Sequence, residues 1–377
     1  MATVSAAPNV KSMAKPPAPL SAPRETPPRV WPWACLLGVL VLVTYAPALR
    51  APLLFDDIAA VTLNPTIRPG WSWQMLQPPS DGSTTSGRPL VNVTLALNYA
   101  VGGENPFGYH LFNVALHVAS VWLLFGLVRR TLQRESGQSI LEGSIVPLSA
   151  AVAALWALHP LHTESVISVA QRTELLGGGF ILLTLYAFVR ATERDPADRV
   201  WLAWSVAAAA LGMMAKETVA TAPLIVWLYD RAFVAGSFRM ARRARRGFYL
   251  ALVATWLPLG ALLVAGGGTR GVAAGMGLGV SSGEYLLTQA GAIVRYLGLA
   301  VWPHPLVLDY GTGVVRVWQE AVVPGVTVLV LLFGAGWLVV RRPRAGFLAA
   351  WFFVLLAPSS SFVPLVTQTI AEHRMYL

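Results

Sequence analysis

The sequence has little charge and almost no cysteine. Only 12% of its 377 residues are charged, whereas 55% are hydrophobic; soluble domains carry about 25% charged residues. A soluble protein of this length could not keep so much apolar surface from water. Cys35 is the single cysteine, so no internal disulfide is possible and cysteine usage does not indicate a compartment. The sequence also lacks a repeat of fixed period, which argues against a solenoid.

The main feature of the sequence is a series of long apolar runs. About twenty apolar residues are needed to cross the hydrocarbon core as a helix. The segments predicted to do so are 31–49, 109–128, 144–159, 175–190, 200–215, 218–234, 247–265, 321–340 and 345–357. A further segment, 284–302, carries Arg295 in its middle, so we interpret it as a re-entrant or interfacial helix, or one half of a bent pair. The sequence therefore predicts an all-α multi-pass membrane protein with about nine to eleven transmembrane helices and a long first outer loop.

The positive charge follows the predicted topology. Residues 1–29 are rich in proline, basic and without periodicity, which predicts a disordered cytoplasmic tail. If this tail lies inside, most of the 28 lysines and arginines fall on the inner side, with the densest run at 239–246. The net charge of +10 is then explained by topology and by contact with anionic membrane lipids, and it indicates no nucleic-acid partner.

Two adjacent carboxylates follow the first predicted span. Asp56 and Asp57 open an outer loop that reaches residue 108, and long loops tend to be functional. The pair has three interpretations: solvated loop acids, a cation site, or a general base with a supporting acid. Neighbouring carboxylates raise each other's pKa, which suits a base.

Further polar groups stand at other outer helix ends. His159 and His162 flank Pro160 and precede Glu164; these groups have metal-binding, helix-capping or site-lining interpretations. Lys216-Glu217 joins two spans as a tight hairpin, which predicts an ion pair at the membrane face or a lysine that faces phosphate. His110, Asn113 and His117 form a polar stripe that should face protein or a water-filled cavity.

The ionisable residues of the outer loops and helix ends share one side of the predicted bundle. They are Asp56, Asp57, Arg88, His159, His162, Glu164, Arg172, Glu174, Lys216, Glu217, Asp309, Glu372 and Arg374. A transporter would place such groups near the membrane midplane. A one-sided cluster above an apolar bundle favours a reaction at the membrane surface on a lipid-borne substrate. A flippase or transporter of a lipid-linked precursor and a non-catalytic membrane scaffold remain alternatives.

Several short motifs resemble one family in their order and spacing. They are Phe55-Asp56-Asp57 with Asn64-Pro65, Arg88-Pro89-Leu90, Leu97-Asn98-Tyr99, Gly102-Gly103, the run from Gly108 to His117, the run from Leu158 to Glu164, Lys216-Glu217, Trp302-Pro303 leading to Asp309-Tyr310, and the run from Glu372 to Leu377. Over roughly 53–377 the chain resembles the membrane half of the TMTC family, transmembrane and tetratricopeptide-repeat proteins that look like protein O-mannosyltransferases of the GT-C fold. The resemblance implies a GT-C-like glycosyltransferase domain at 30–377, with tetratricopeptide repeats expected beyond 377.

The resemblance also implies a reaction. A sugar, with mannose as the first candidate, would pass from a polyprenyl-phosphate donor to a Ser or Thr hydroxyl of a protein, with inversion at the anomeric carbon. Asp56 would be the general base, with Asp57 as the other candidate. The donor phosphate would be bound by Arg88, Arg172, Lys216 and Arg374.

The remaining polar residues of the motifs would line the site. They are His110, His159, His162, Glu164, Glu174, Glu217, Asp309, Glu372 and His373. No metal or cofactor is required, although a divalent cation between acids and phosphate is compatible with the residues, and another lipid-linked sugar is an alternative donor. The active face would be periplasmic or luminal. The excess of arginine over lysine indicates a GC-rich bacterial genome. We therefore expect the protein in a bacterial plasma membrane.

Overall fold

The protein is described by a computed structural model that covers residues 29–69, 72–135, 142–266, 280–311, 313–360, 364 and 368–377. The predicted disordered tail, apart from Arg29, lies outside these residues. Within them the chain forms helices and turns and no strand. The helices are α1 (Trp31–Tyr45), α2 (Pro89–Gly102), α3 (Pro106–Glu135), α4 (Ile145–Ala157), α5 (Thr163–Ile167), α6 (Arg172–Ala191), α7 (Arg199–Met213), α8 (Ala222–Phe233), α9 (Phe238–Ala244), α10 (Arg246–Ala254), α11 (Trp256–Ala265), α12 (Ser282–Val301), α13 (Trp318–Arg341) and α14 (Pro343–Leu356).

The predicted all-α multi-pass architecture is confirmed. In the described ranges five helices are long and apolar enough to cross a membrane: Trp31–Arg50, Pro106–Glu135, Arg172–Ala191, Arg246–Ala265 and Trp318–Arg341. Two bent pairs raise this number to seven, and α7 and α14 are shorter apolar helices. Each of the nine predicted spans therefore corresponds to a helix or a bent pair, although five to seven, rather than nine to eleven, meet the length and hydropathy of a full span.

Segment 284–302 forms one continuous helix. Ser281 and Glu284 form a capping box that begins α12, and the helix ends at Val301. It packs against α13, and Arg295 lies 4.4 Å above the ring of Tyr310. Helix α12 is not among the described helices that are long and apolar enough to cross a membrane. Its placement at the membrane surface stays a prediction.

Proline sets several helix boundaries. Pro32, Pro89 and Pro343 stand in the first turns of their helices, where the missing N–H has no intrahelical partner. Pro160 has the opposite effect on α4, because a proline cannot continue an established helix. The chain bends by 53° between α4 and the segment 160–167. This bend turns α5 toward the start of α6 and places Glu164 above the bundle.

Helix α6 is the central element of the bundle. It packs against α3 on one side and α7 on the other, and most of its residues are buried. Its first turns contain adjacent glycines at the positions where other segments approach most closely. A Cβ atom at Gly178 would lie 2.7 Å from Cδ1 of Tyr376, and one at Gly177 would lie 3.0 Å from Cβ of Lys216. Small residues here therefore allow the C-terminal segment to dock on α6.

Substitution of Gly178 by alanine should loosen this docking. The added methyl group overlaps the buried Tyr376 ring, and overpacking of this kind destabilises proteins by about 1–3 kcal/mol. We expect a lower thermal unfolding midpoint for the purified protein in detergent. Gly298→Ala on α12 is the matched control, because a Cβ atom there has no neighbour within 4 Å. Equal midpoints for the two variants would show that Tyr376 does not dock against α6.

Candidate active site

A cavity of about 370 Å³ opens at the end of the bundle where α1 ends and α3 and α6 begin. Its volume lies in the range of small-molecule sites, roughly 300–1,000 Å³. The candidate residues that line it are Asp56, Asp57, His110, Glu164, Asp309 and Glu372. These six residues come from distant parts of the sequence. The fold therefore brings them together, as the predicted one-sided cluster requires.

The two acids in the turn after α1, Asp56 and Asp57, differ in exposure and in hydrogen bonding. Phe55 has φ +49°, a left-handed conformation that is strained for a bulky side chain. Asp57 is 4% exposed, and its Oδ1 accepts hydrogen bonds from the Ala170 N–H at 2.8 Å and the Ser168 hydroxyl at 2.9 Å. Asp56 points outward into the cavity. Asp57 therefore anchors the turn, and Asp56 is the acid available to a ligand.

The surroundings of Asp56 favour proton uptake. Partial burial raises the pKa of its carboxyl group, while the charge of His373 lowers it and the negative charges of Asp57, Glu164 and Asp309 raise it further. The net result is a pKa above the usual value for aspartate. A carboxylate with a raised pKa is a stronger base, which is the property that general-base catalysis requires.

His110 lines the wall between Asp56 and the first turn of α3. Its Nε2 lies 3.0 Å from the carbonyl oxygen of Ala51, so Nε2 carries the proton and donates this bond. The other ring nitrogen, Nδ1, is buried and has no hydrogen-bond partner among the described residues. His110 thus fixes the turn after α1.

Glu372, in the C-terminal turn, binds the segment 306–310, which covers the cavity. Its Oε1 accepts hydrogen bonds from the Val307 N–H at 2.7 Å and the Tyr310 hydroxyl at 2.6 Å. Partial burial and the bond to Glu372 raise the pKa of Tyr310 to about 12, so the phenol stays protonated and donates. Asp309 is exposed and accepts from the Gly311 N–H at 2.8 Å. Residues 306–309 are held over the cavity in this way.

A chain of four buried ionisable groups connects the cavity to the turn after α7. Nδ1 of His373 lies 2.6 Å from Oε1 of Glu164, and the His373 backbone N–H donates to Oε2 at 3.1 Å. Nε2 of the same ring faces Oε1 of Glu174 at 3.8 Å. Glu174 in turn forms an ion pair with Lys216, and both side chains are almost fully buried. We call Glu164, His373, Glu174 and Lys216 the charge chain.

The predicted Lys216–Glu217 ion pair is wrong. Lys216 pairs with Glu174, and Glu217 instead pairs with Arg88 at 3.1 Å. The short helical turn that begins at Glu217 separates the two side chains, because Lys216 has extended backbone and points toward α6. Lys216 and Glu217, although adjacent and opposite in charge, therefore each form an ion pair with a different residue.

The four cations predicted to bind phosphate do not line the cavity. Arg172 is fully buried, with its guanidinium held by Asn113 at 2.8 Å, Tyr109 at 3.1 Å and Thr94 at 3.3 Å. Arg374 donates to backbone carbonyl oxygens of the segment before it. Arg88 and Lys216 are paired with acids. A phosphate would have to displace these partners, so the phosphate role of these residues stays a prediction.

His159 and His162 also lie outside the cavity lining. His159 Nδ1 accepts from the Leu161 N–H, which is a capping contact. His162 is buried among the rings of Trp156, Tyr376 and His117. Glu164 faces the opposite way, toward His373. The two histidines and Glu164, adjacent in sequence, therefore do not converge on one point.

Sequence reasoning missed the partner that orients Asp57. Ser168 lies in the turn between α5 and α6 and contacts an acid 111 residues earlier. It also missed the contact of Tyr376 with His117, whose Nδ1 lies 2.9 Å from the phenol oxygen. No short-range pattern marks either residue, because both contacts depend on how distant segments meet.

Comparison with known proteins gives consistent matches. A family model described as dolichyl-phosphate-mannose-protein mannosyltransferase matches residues 85–265. Protein O-mannosyl-transferase Tmtc2 of Drosophila melanogaster is 35% identical over 204 residues, which are 51% of this chain and 21% of that protein. Tmtc1 of the same organism is 34% identical over 206 residues, 51% of this chain and 22% of that protein. Human TMTC2 is 30% identical over 205 residues, 51% of this chain and 23% of that protein.

The resemblance to the TMTC family is thereby confirmed for the membrane portion of the chain. The matched part spans about a fifth of the length of these relatives. The family model includes His110, Glu164 and Glu174 but begins after Asp56 and ends before His373. No solved structure matches the chain significantly.

Proposed function

We propose that this protein is a membrane glycosyltransferase that moves a sugar from a polyprenyl-phosphate donor to a Ser or Thr hydroxyl of a protein. The observation that carries the proposal is Asp56, an accessible carboxylate with a raised pKa, in a cavity at one end of an apolar bundle. The TMTC relatives are named as protein O-mannosyl-transferases, which makes mannose the first sugar to test.

The proposed reaction is a single displacement. Asp56 accepts the hydroxyl proton while the acceptor oxygen attacks the anomeric carbon. The bond from that carbon to the phosphate oxygen breaks, and the electron pair leaves with the polyprenyl phosphate. Attack opposite the leaving group inverts the anomeric configuration. The phosphate is already a good leaving group, so no general acid is needed.

The walls of the cavity suit a sugar better than a free phosphate. Its described lining includes five carboxylates and no lysine or arginine. Carboxylate oxygens accept hydrogen bonds from sugar hydroxyls, whereas they repel a phosphate dianion. We therefore place the sugar among the acids and the lipid phosphate at the edge of the cavity, with Arg88, Arg172, Lys216 and Arg374 kept as proposed phosphate contacts.

We infer the face of the membrane on which the cavity lies from the distribution of positive charge. The arginine-rich segment 239–246 and residues 341–344 lie at helix ends away from the cavity residues in the predicted topology, which puts the cavity opposite the positive side. We propose a cytoplasmic N-terminus and a periplasmic or luminal cavity, in a bacterial plasma membrane. Cysteine labelling of Cys35→Ser protein with single cysteines placed at Asp81 or Arg243 would test this orientation, because an impermeant reagent should reach only the first.

The decisive experiment is transfer of radiolabelled mannose from polyprenyl-phosphate-mannose to a Ser/Thr-rich peptide by membranes that contain the full chain. We expect labelled peptide, and we expect labelling to persist in EDTA because the proposed steps need no metal. The same membranes are tested with polyprenyl-phosphate-arabinose and with polyprenyl-phosphate-glucose. Labelling from one of these alone would keep the enzyme class and change the sugar.

A flippase is the second candidate from the sequence, but the structure gives it little support. It would need ionisable groups along a path through the bundle. The charge chain begins at the cavity and ends at Lys216, on the turn between α7 and α8. Reconstituted protein that moves labelled lipid across vesicles, without labelling any peptide, would favour the flippase and contradict the proposed transfer.

A further inference from the structure

Gln171 is a buried residue of the cavity wall whose side-chain amide has no partner among the described residues. It is 5% exposed, and it lines the same cavity as Asp56. It occupies the N-cap position of α6, but its side chain forms no capping hydrogen bond and no other hydrogen bond within the described part of the chain. Burial of an amide without a partner costs free energy. A buried, unpartnered amide in a cavity wall therefore indicates a ligand that supplies the partner.

The turn that precedes α6 holds Gln171 next to the two acids of the first outer loop. The Ser168 hydroxyl and the Ala170 N–H donate to Oδ1 of Asp57 at 2.9 and 2.8 Å. On the other side of this turn, Nδ2 of the buried Asn113 donates to the Ser168 carbonyl oxygen at 2.9 Å. Gln171 directly follows Ala170, so its backbone is fixed close to the proposed base before a ligand enters. A side chain held in this way loses little freedom when it binds.

The cavity wall is rich in hydrogen-bond acceptors and poor in free donors. Five carboxylates line it, and an ionised carboxylate can only accept. His110 and Ser168 also line it, but both already donate to oxygen atoms of the protein. Thr163 and Gln368 are more exposed than Gln171. A primary amide offers two N–H donors and one acceptor, which matches the hydroxyl groups of a sugar. Gln171 therefore supplies a buried donor that the acids lack.

We propose that Gln171 is a sugar-binding residue, whose amide N–H donates to one hydroxyl oxygen of the sugar that lies next to Asp56. This inference deepens the proposed function and rests on it, because that function supplies the lipid-linked sugar. No bond is made or broken at Gln171, so its role is to bind and orient the sugar and to select sugars that carry this hydroxyl. A site built to bind a hydroxyl group discriminates against the analogue that lacks it.

The test is a double-mutant cycle between Gln171 and the sugar hydroxyls. Gln171→Met keeps an unbranched side chain of similar length and removes the amide. The purified full chain in detergent is titrated with radiolabelled polyprenyl-phosphate-mannose and with four analogues, each of which lacks the hydroxyl at C2, C3, C4 or C6. We expect Gln171→Met to weaken binding of the complete donor about threefold to tenfold, the usual effect of one neutral hydrogen bond. For one analogue this loss should disappear, because the hydroxyl that Gln171 binds is already missing.

Two further glutamines provide the controls. Gln77→Met makes the same change at an exposed residue of the first outer loop that does not line the cavity, and it should bind all five donors as the wild-type protein does. Gln368→Met removes the other amide of the cavity wall, at a half-buried position, and should not couple to any single hydroxyl. Gln171→Glu, which keeps the size but loses the N–H donors, replaces Gln171→Met if that variant does not fold.

Binding and transfer are measured on the same preparations, so the two proposals can fail separately. A loss that disappears with a single analogue supports the sugar contact. An equal loss with all five donors, no loss at all, or coupling at Gln368 alone overturns it, even where peptide labelling proceeds. Wild-type protein that shows the coupling but labels no peptide contradicts the proposed transfer and leaves the sugar contact standing. Wild-type protein that binds none of the five donors overturns the sugar contact, and peptide labelling from polyprenyl-phosphate-arabinose or polyprenyl-phosphate-glucose then decides the proposed function.

Discussion

Asp56→Asn is expected to lower the rate of sugar transfer by about 100-fold or more, the usual contribution of a general base. The amide has nearly the shape of the carboxylate but cannot accept the hydroxyl proton. Because Asp56 is exposed to the cavity and no hydrogen bond fixes it among the described residues, the change should leave the fold intact. The measurement is kcat for peptide labelling, with the unfolding midpoint recorded for the same preparation.

Asp57→Asn should behave differently, which separates the two candidate bases. Oδ1 of Asp57 accepts both of its hydrogen bonds, from Ala170 and Ser168, and the asparagine oxygen can accept both as well. Loss of the charge weakens these bonds by about 1 kcal/mol, so we expect a modest drop in stability and at most about a tenfold loss of kcat.

Asp81→Asn is the matched control for both changes. Asp81 is an exposed acid of the same outer loop, bonded through Oδ1 to Ser83 and Ser86, and it does not line the cavity. Its rate should equal that of the wild-type protein. A larger loss for Asp57→Asn than for Asp56→Asn, at unchanged stability, would show that Asp57, and not Asp56, is the general base.

The helices were predictable because their signal is local. Apolar runs of membrane length identified all nine segments, and the predicted span 144–159 contains α4, which ends before Pro160. The lengths were less predictable, because α7 and α14 are shorter than a typical span. Composition reports how apolar a run is, whereas packing and bends decide how far each helix extends.

The site was predictable only as a set of residues. The one-sided pattern correctly grouped Asp56, Glu164 and Glu372 at one cavity. It could not assign partners, because a partner depends on three-dimensional approach. Lys216 is next to Glu217 in sequence but binds Glu174, and Arg172 resembled a phosphate ligand but is enclosed by α2, α3 and their side chains. The cations that the resemblance implied as phosphate ligands thus have internal partners in the structure.

Lys216→Met is expected to destabilise the protein by about 3 kcal/mol or more, since removal of one partner from a buried ion pair leaves the other charge uncompensated. Lys216 and Glu174 are 7% and 9% exposed as side chains, so water cannot replace the lost contact. The measurement is the free energy of unfolding of the purified protein in mixed detergent micelles. Glu174→Gln in the Lys216→Met background should restore much of the loss, because it removes the stranded charge.

Arg68→Met is the matched control for the loss of stability expected of Lys216→Met. Arg68 and Glu104 also form an ion pair, at 3.0 Å, but their side chains are 44% and 45% exposed, and exposed pairs contribute about 0–1 kcal/mol. A Lys216→Met protein as stable as Arg68→Met, but with weaker binding of the lipid-linked donor, would show that Lys216 leaves Glu174 to bind phosphate. The stability difference between the two variants therefore decides whether Lys216 is part of the scaffold or a ligand of the donor.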